Sequence, residues 1–164
     1  MVAALRKDFK RALSSAQHRR RCLFLELYSG DGGISKCLRD MGYGVMSFDI
    51  VNGPQFDLTR KCVQQLLHGW LTSGCILGAW LGTICKSWSR ARHGPPGSGW
   101  CTVRDNAHIM GLADLPESAQ LAVRLGNATM RQRAAFIKLA YQIHVPTMLE
   151  NPCASMLWLA PRRP

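Results

Sequence analysis

Leu25-Glu26-Leu27-Tyr28-Ser29-Gly30-Asp31-Gly32-Gly33 reads as an apolar strand opening into a glycine turn. Glycines at 30, 32 and 33 let the backbone approach a ligand closely and present the amides of a helix N-terminus. No Gly-Lys-Ser/Thr follows, so the turn is not a phosphate P-loop. A dinucleotide fingerprint would carry a glycine three residues after Gly32, where Ser35 stands. Asp49, 19 positions after Gly30, closes the next strand and suits ribose hydroxyls held by two hydrogen bonds. A glycine turn with a second-strand acid, lacking the pyrophosphate pattern, favours S-adenosylmethionine over NAD. The competing reading is a tight strand-to-helix turn with a solvated Asp49.

Outward from this stretch the chain alternates. Residues 2–18 fit a basic amphipathic helix, with Val2, Leu5, Phe9 and Leu13 at helical spacing. A first strand covers 22–28, and a helix runs from the glycine turn to about Met41. Val45–Ile50 forms a second strand, Thr59 caps a helix reaching about Trp70, and Cys75–Leu81 is a third strand. Residues 93–116, rich in Gly and Pro, read mostly as an irregular loop. A long helix from about Pro116 to Ile143 is expected to break near Gly126-Asn127, with Leu121, Val123, Leu125, Ala134, Ile137 and Leu139 as its core set. The strand Val145–Leu149 and a short closing segment to Trp158 complete the pattern. Such alternation predicts an α/β fold with a parallel sheet and right-handed crossovers. Ligands on such sheets bind outside the carboxyl ends of the strands. The expected organisation is a basic N-terminal helix (1–21), a catalytic domain (22–158) and a tail (159–164).

The chain has 164 residues, enough for one domain with a real core. No apolar run approaches the ~20 residues that span a bilayer. Charges at Arg6, Lys7, Asp8, Lys10 and Arg11 interrupt any signal-peptide core. Seven cysteines without a CxxC pair argue against a disulfide scaffold or zinc site, and point to a reducing intracellular compartment, nucleus or cytoplasm. Five histidines lack metal spacing, so no metal is expected. The net charge is +11. Residues 1–21, the stretch with Lys86, Arg90, Arg92 and Arg104, and the group Arg124, Arg131, Arg133 and Lys138 concentrate it. Such a surface attracts a polyanion, nucleic acid first, or an acidic protein. Trp88, Trp100 and His93 suit base stacking or ordinary packing. Five of the ten acids, Glu26, Asp31, Asp49, Asp57 and Glu150, fall at or just beyond strand ends.

Two further motifs share that edge. Cys85, in Leu81-Gly82-Thr83-Ile84-Cys85-Lys86-Ser87-Trp88-Ser89-Arg90, follows an apolar strand and enters a basic loop whose Lys86, Arg90 and Arg92 would favour a thiolate. The other cysteines read as small buried hydrophobes. Glu150 closes the strand before Asn151-Pro152, and a carboxyl buried there would be poised to donate a proton to a ring nitrogen. Its competing role is to cap the following turn.

Taken in order, these residues resemble the cytosine-C5 methyltransferases, which methylate cytosine in DNA and in some RNAs. Tyr28-Ser29-Gly30-Asp31-Gly32-Gly33 is similar to the family's cofactor motif, an aromatic residue before Ser/Ala-Gly-x-Gly-Gly. Asp49, with Ile50 beside it, stands where the family has its ribose-binding acid, and Asp57 matches the adenine-contacting acid more weakly. Cys85 with Ser87, Trp88, Ser89 and Arg92 resembles the nucleophile loop, and Glu150-Asn151-Pro152 the Glu-Asn-Val motif. The likeness covers residues 23–158. It departs in having Ile84-Cys85-Lys86 for Pro-Cys-Gln, and a longer interval between Cys85 and Glu150.

The resemblance implies a Rossmann-like sheet of the class I S-adenosylmethionine-dependent type, incomplete on its C-terminal side. It implies S-adenosylmethionine bound by Tyr28, Ser29, Gly30, Gly32, Gly33, Asp49, Ile50 and Asp57. Catalysis would fall to Cys85, Glu150 and Asn151, and nucleic-acid binding to Lys86, Ser89, Arg90, Arg92 and Arg104. DNA is the leading partner and RNA the second, with a protein partner supplying recognition elements and no membrane. Two other readings stay open: a non-catalytic remnant of this fold that binds nucleic acid or protein, and an enzyme of this fold acting on another substrate.

Overall fold

The computed structural model describes residues 2–17, 23–90 and 101–160. Cys22, Arg92, His93 and Trp100 lie outside them, as does the 93–100 part of the expected loop. In order, the elements are α1 (Val2–Gln17), β1 (Leu23–Leu27), α2 (Gly33–Asp40), β2 (Gly44–Phe48), α3 (Lys61–Thr72), β3 (Ile76–Gly82), α4 (Glu117–Gln142) and β4 (Thr147–Glu150). The fold is α/β, with one four-stranded, all-parallel sheet in the order β2-β1-β3-β4, consistent with a Rossmann-like arrangement. From β1 the chain steps out to β2, then returns past β1 to β3. The switch point therefore lies between β1 and β3, where such sheets form a ligand crevice.

The chain divides into two compact units, Met1–Thr83 with Gln132–Glu150, and Ile84–Arg131 with Asn151–Pro164. The first unit holds the sheet. β1 is buried at four of its five positions, as a central parallel strand covered on both faces should be. Leu5, Leu25, Leu27, Phe48, Trp70 and Leu81 share one core with Phe9, whose ring stacks on Trp70 at 4.1 Å. The basic N-terminal helix thus buries its apolar face beside the sheet, where each such side chain contributes about 1.5–3 kcal/mol. Glu26 is also buried, and its Oε2 accepts the Ser35 amide at 2.9 Å. A carboxylate thereby caps α2, which opens on Gly32 without a side-chain cap of its own.

Two local expectations shift. Thr59 does not cap α3: its hydroxyl and amide both donate to Asp57 Oδ1 (2.6 and 2.9 Å), and Arg60 takes the cap position. β2 ends at Phe48, so Asp49 begins a 3-10 turn and its Oδ1 accepts the Val51 amide. β4 is an edge strand that pairs with β3 alone, and its exposure alternates.

The second unit packs around Trp88 and Arg104. Residues 101–116 form neither helix nor strand, as expected, yet they are tied down by side chains. Arg104 is fully buried and donates to the carbonyls of Ser87, Ile109 and Val123, to Ser87 Oγ and to Asn127 Oδ1. Its guanidinium lies 3.5 Å from the Trp88 ring centroid, and Trp88 Nε1 donates to the Gly126 carbonyl. α4 passes unbroken through Gly126-Asn127. Gly126 is needed there for closeness: a Cβ would collide with Ser87 Oγ and lie 3.0 Å from Arg104 Nη2. Asn127 holds the loop, donating to the Met110 carbonyl. The buried stripe of α4 includes Ala119, Val123, Met130, Arg133 and Ala140, while Leu121, Leu125 and Ala134 of the expected core set are exposed. Among the described residues no helix is long and apolar enough to cross a membrane.

Candidate functional site

Tyr28 leaves β1 with φ 58°, a left-handed conformation that a bulky residue holds only when its surroundings demand it. The hydroxyl donates to Gln132 Oε1 at 3.0 Å. Burial raises the phenol's pKa, opposed by Arg133 and aided by Asp57. After this kink the turn runs through Gly30 (φ 50°) and Gly32 (φ 71°). Asp49 closes it from just beyond β2: Oδ2 accepts the Gly30 amide at 2.8 Å. The two motifs, 19 residues apart, are therefore in direct contact. Among the described residues Ser29 Oγ is buried in this turn without a hydrogen-bond partner, and beyond their chain neighbours and the helix's own backbone none comes within 4 Å of where a Cβ would stand at Gly30 or Gly33. Ile50 and Val51, beside Asp49, are 60% and 73% exposed. Asp57 belongs to the turn before α3 and is engaged by Thr59.

At the switch point Gly82 makes room for two groups. A Cβ there would meet the Tyr28 carbonyl at 3.0 Å and Glu150 Oε2 at 3.8 Å. The Glu150 carbonyl accepts the Thr83 hydroxyl at 2.8 Å. The first unit thus gathers Tyr28, Ser29, Gly30, Asp49 and Glu150 at the carboxyl ends of its strands. Glu150 itself is exposed, which corrects the expectation of a buried proton donor: β4 has no strand on its outer side to desolvate the carboxyl. The unit boundary falls after Glu150, so Asn151, half-buried, belongs to the second unit.

Cys85 belongs to the second unit as well, as a half-buried free thiol. Its carbonyl accepts the amides of Trp88 and Ser89, both at 2.8 Å, forming a tight turn. Ser87 and Trp88 anchor that turn in the core, leaving Lys86 and Arg90 exposed and Ser89 half-buried. Arg90 donates to Asn106 Oδ1. Arg92 lies outside the described residues. Arg104 is a correction: completely buried on Trp88 and hydrogen-bonded to five oxygens, it offers nothing to nucleic acid. Burial lowers its pKa to about 10, so it stays charged at neutral pH. Trp88, equally buried, is core and not a stacking platform. Cys37 and Cys153, taken as buried thiols, are exposed.

Arg133 is a further correction, and the residue that sequence reading missed. Grouped with surface cations, it is only 7% exposed and lines a cavity of about 280 Å³ in the first unit, under Tyr28. The signal was present. Ala119, Val123, Gly126, Met130, Arg133, Ile137 and Ala140 recur at alternating spacings of four and three, the seam of a helix, and only one of them is charged.

The chain matches no family model, no curated protein and no solved structure.

Proposed function

We propose that the protein transfers a methyl group from S-adenosylmethionine to C5 of cytosine in nucleic acid, DNA before RNA, on a class I methyltransferase fold. The observation that carries this reading is the glycine turn clamped by Asp49, with the buried Ser29 hydroxyl unpartnered inside it. Such a turn suits a nucleoside with a polar tail. Each Asp49 oxygen keeps a lone pair for a ribose hydroxyl. Ile50 supplies apolar surface for the adenine, and the open faces of Gly30 and Gly33 admit the methionine portion.

In this reading the target base is flipped out of its stack. The Cys85 thiolate bonds to C6, and Glu150, beside Asn151, hydrogen-bonds or protonates N3. The electron pair of the C5–C6 double bond is thereby released to C5, which becomes nucleophilic. S-adenosylmethionine, when bound, supplies the electrophilic methyl. A base removes the C5 proton, the double bond re-forms and Cys85 leaves as thiolate. Lys86 and Arg90, exposed on the nucleophile turn, face the phosphate backbone.

Calorimetric titration with S-adenosylmethionine, against an Asp49→Ala control, tests the cofactor half. Micromolar binding lost in the control is expected, and its absence in the wild-type chain sinks the reading. Covalent trapping on 5-fluorocytosine DNA, abolished by Cys85→Ala, tests the chemistry. A second reading, a nucleic-acid or protein binding module without turnover, is favoured by the exposure of Glu150. DNA binding indifferent to cofactor and to Cys85 would select it.

A further inference from the structure

The cavity lined by Arg133 has an apolar body. Leu27 and Leu81 form its floor on the sheet, Leu71 closes it from α3, and Phe136 and Leu139 from α4. Its volume, about 280 Å³, sits near the lower end of the roughly 300–1,000 Å³ typical of small-molecule sites. Into this apolar wall the fold sets a guanidinium. Arg133 is 7% exposed as a residue and makes no hydrogen bond or ion pair among the described residues, and its guanidinium nitrogens, which are not among the fully buried unpartnered atoms, keep contact with the cavity. Tyr28 is the group that acts on it electrostatically; Asp57, the carboxylate that acts on Tyr28 in turn, is taken up by Thr59, and none of the residues lining the cavity is an acid. Tyr28 and Gln132 hydrogen-bond each other.

An unpaired buried charge is costly, and buried charges in folded proteins are ordinarily paired. Arg104, in the second unit, shows what satisfaction requires: five acceptors and an aromatic face. Arg133 has neither. What it lacks is a planar anion; the cavity wall is apolar at Leu27, Leu71, Leu81 and Phe136 and polar, without an acid, at Lys61, Gln64 and Gln65.

We propose that this cavity binds a small organic carboxylate with a flat apolar body, its carboxylate paired with the Arg133 guanidinium and its body against Leu27, Leu81 and Phe136. Arginine's fork of donors matches a carboxylate by two parallel hydrogen bonds, which neutral or cationic ligands cannot reproduce. The inference stands without the methyl-transfer reading, since its test uses neither cofactor nor nucleic acid.

The test is thermal unfolding of the full chain with 2-naphthoate or its uncharged isostere 2-naphthamide, with calorimetry for affinity. The carboxylate is expected to raise Tm and the amide to leave it nearly unchanged. In Arg133→Met the ligand-free Tm is expected to rise, because an unpaired buried charge is gone, and naphthoate affinity to fall at least tenfold. Equal stabilisation by both ligands overturns the proposal, as does wild-type naphthoate affinity in Arg133→Met. A lower ligand-free Tm in that variant would also overturn it, by making Arg133 a support of the fold. Should Arg133→Met fail to fold, the carboxylate-against-amide comparison on the wild-type chain still decides.

Discussion

Two arginines, both removed from water, have opposite surroundings. Arg104 sits where a loop without regular structure, the Cys85 turn and α4 meet, and the five acceptors it engages are neutral. Arg133, in the first unit, lies on the buried stripe of α4 and lines a cavity with apolar walls at Leu27, Leu81 and Phe136. Burial alone therefore does not tell what a charge is for. A charge whose donors are all engaged organises a fold; one whose donors open on a cavity is the kind that our proposal assigns to a ligand.

The comparison can be broken from the Arg104 side first. Arg104→Met strands at least three buried acceptors and removes the face packed on Trp88. Breaking a buried charged network costs about 3–5 kcal/mol, so urea denaturation should show a large drop in midpoint, or loss of cooperative unfolding. A midpoint within error of wild type would remove Arg104 from its organising role. Gly126→Ala comes next. The added methyl collides with Ser87 Oγ and crowds Arg104 and Trp88, and overpacking of this kind costs about 1–3 kcal/mol. An ordinary alanine-for-glycine gain in helix stability would instead show that the cluster gives way.

Arg133→Met sharpens the contrast by its sign. Replacing a buried, unpaired cation by an apolar side chain should stabilise the chain by about 1 kcal/mol or more. The same substitution at position 104 should do the reverse, and equal signs would end the distinction. The smallest effect belongs to Asp105, next to Arg104 and exposed. Its carboxylate accepts the backbone amides of His108 and Ala107, which holds its pKa below the usual carboxylate value, the His108 amide most strongly. A depressed carboxylate stabilises above its unfolded pKa and loses that contribution as pH falls through the folded one. The stability difference between wild type and Asp105→Asn should accordingly be small at pH 7 and shrink as pH drops below the carboxylate range.

Much of the fold was legible because it is local. Strand β1, the glycine turn and the Asp49 that closes it are read from apolar runs, glycine spacing and one acid at a strand end, and chain geometry brings the last two together. The long helix was legible from its period, although Gly126-Asn127 suggested a break. A glycine in a helix weakens it in isolation, but here it admits Trp88 and Arg104, whose approach is not encoded near Gly126. Glu150 was misread for a related reason. An apolar strand with a terminal acid looks buried in sequence, whereas exposure depends on whether another strand lies alongside, and β4 is an edge.

By itself the sequence determined the alternation of strands and helices, hence a parallel α/β sheet, and the motifs gathered at its carboxyl edge. Periodicity and turn chemistry act over a few residues, and these features need nothing longer. Only the tertiary structure decided which cations are surface and which are interior, that Glu150 faces water, and that Cys85 and Glu150 fall in different compact units. Lys and Arg are the same letters in both settings. Whether a guanidinium meets solvent, five oxygens or an apolar cavity depends on chain segments far away in sequence, and no local pattern carries that information.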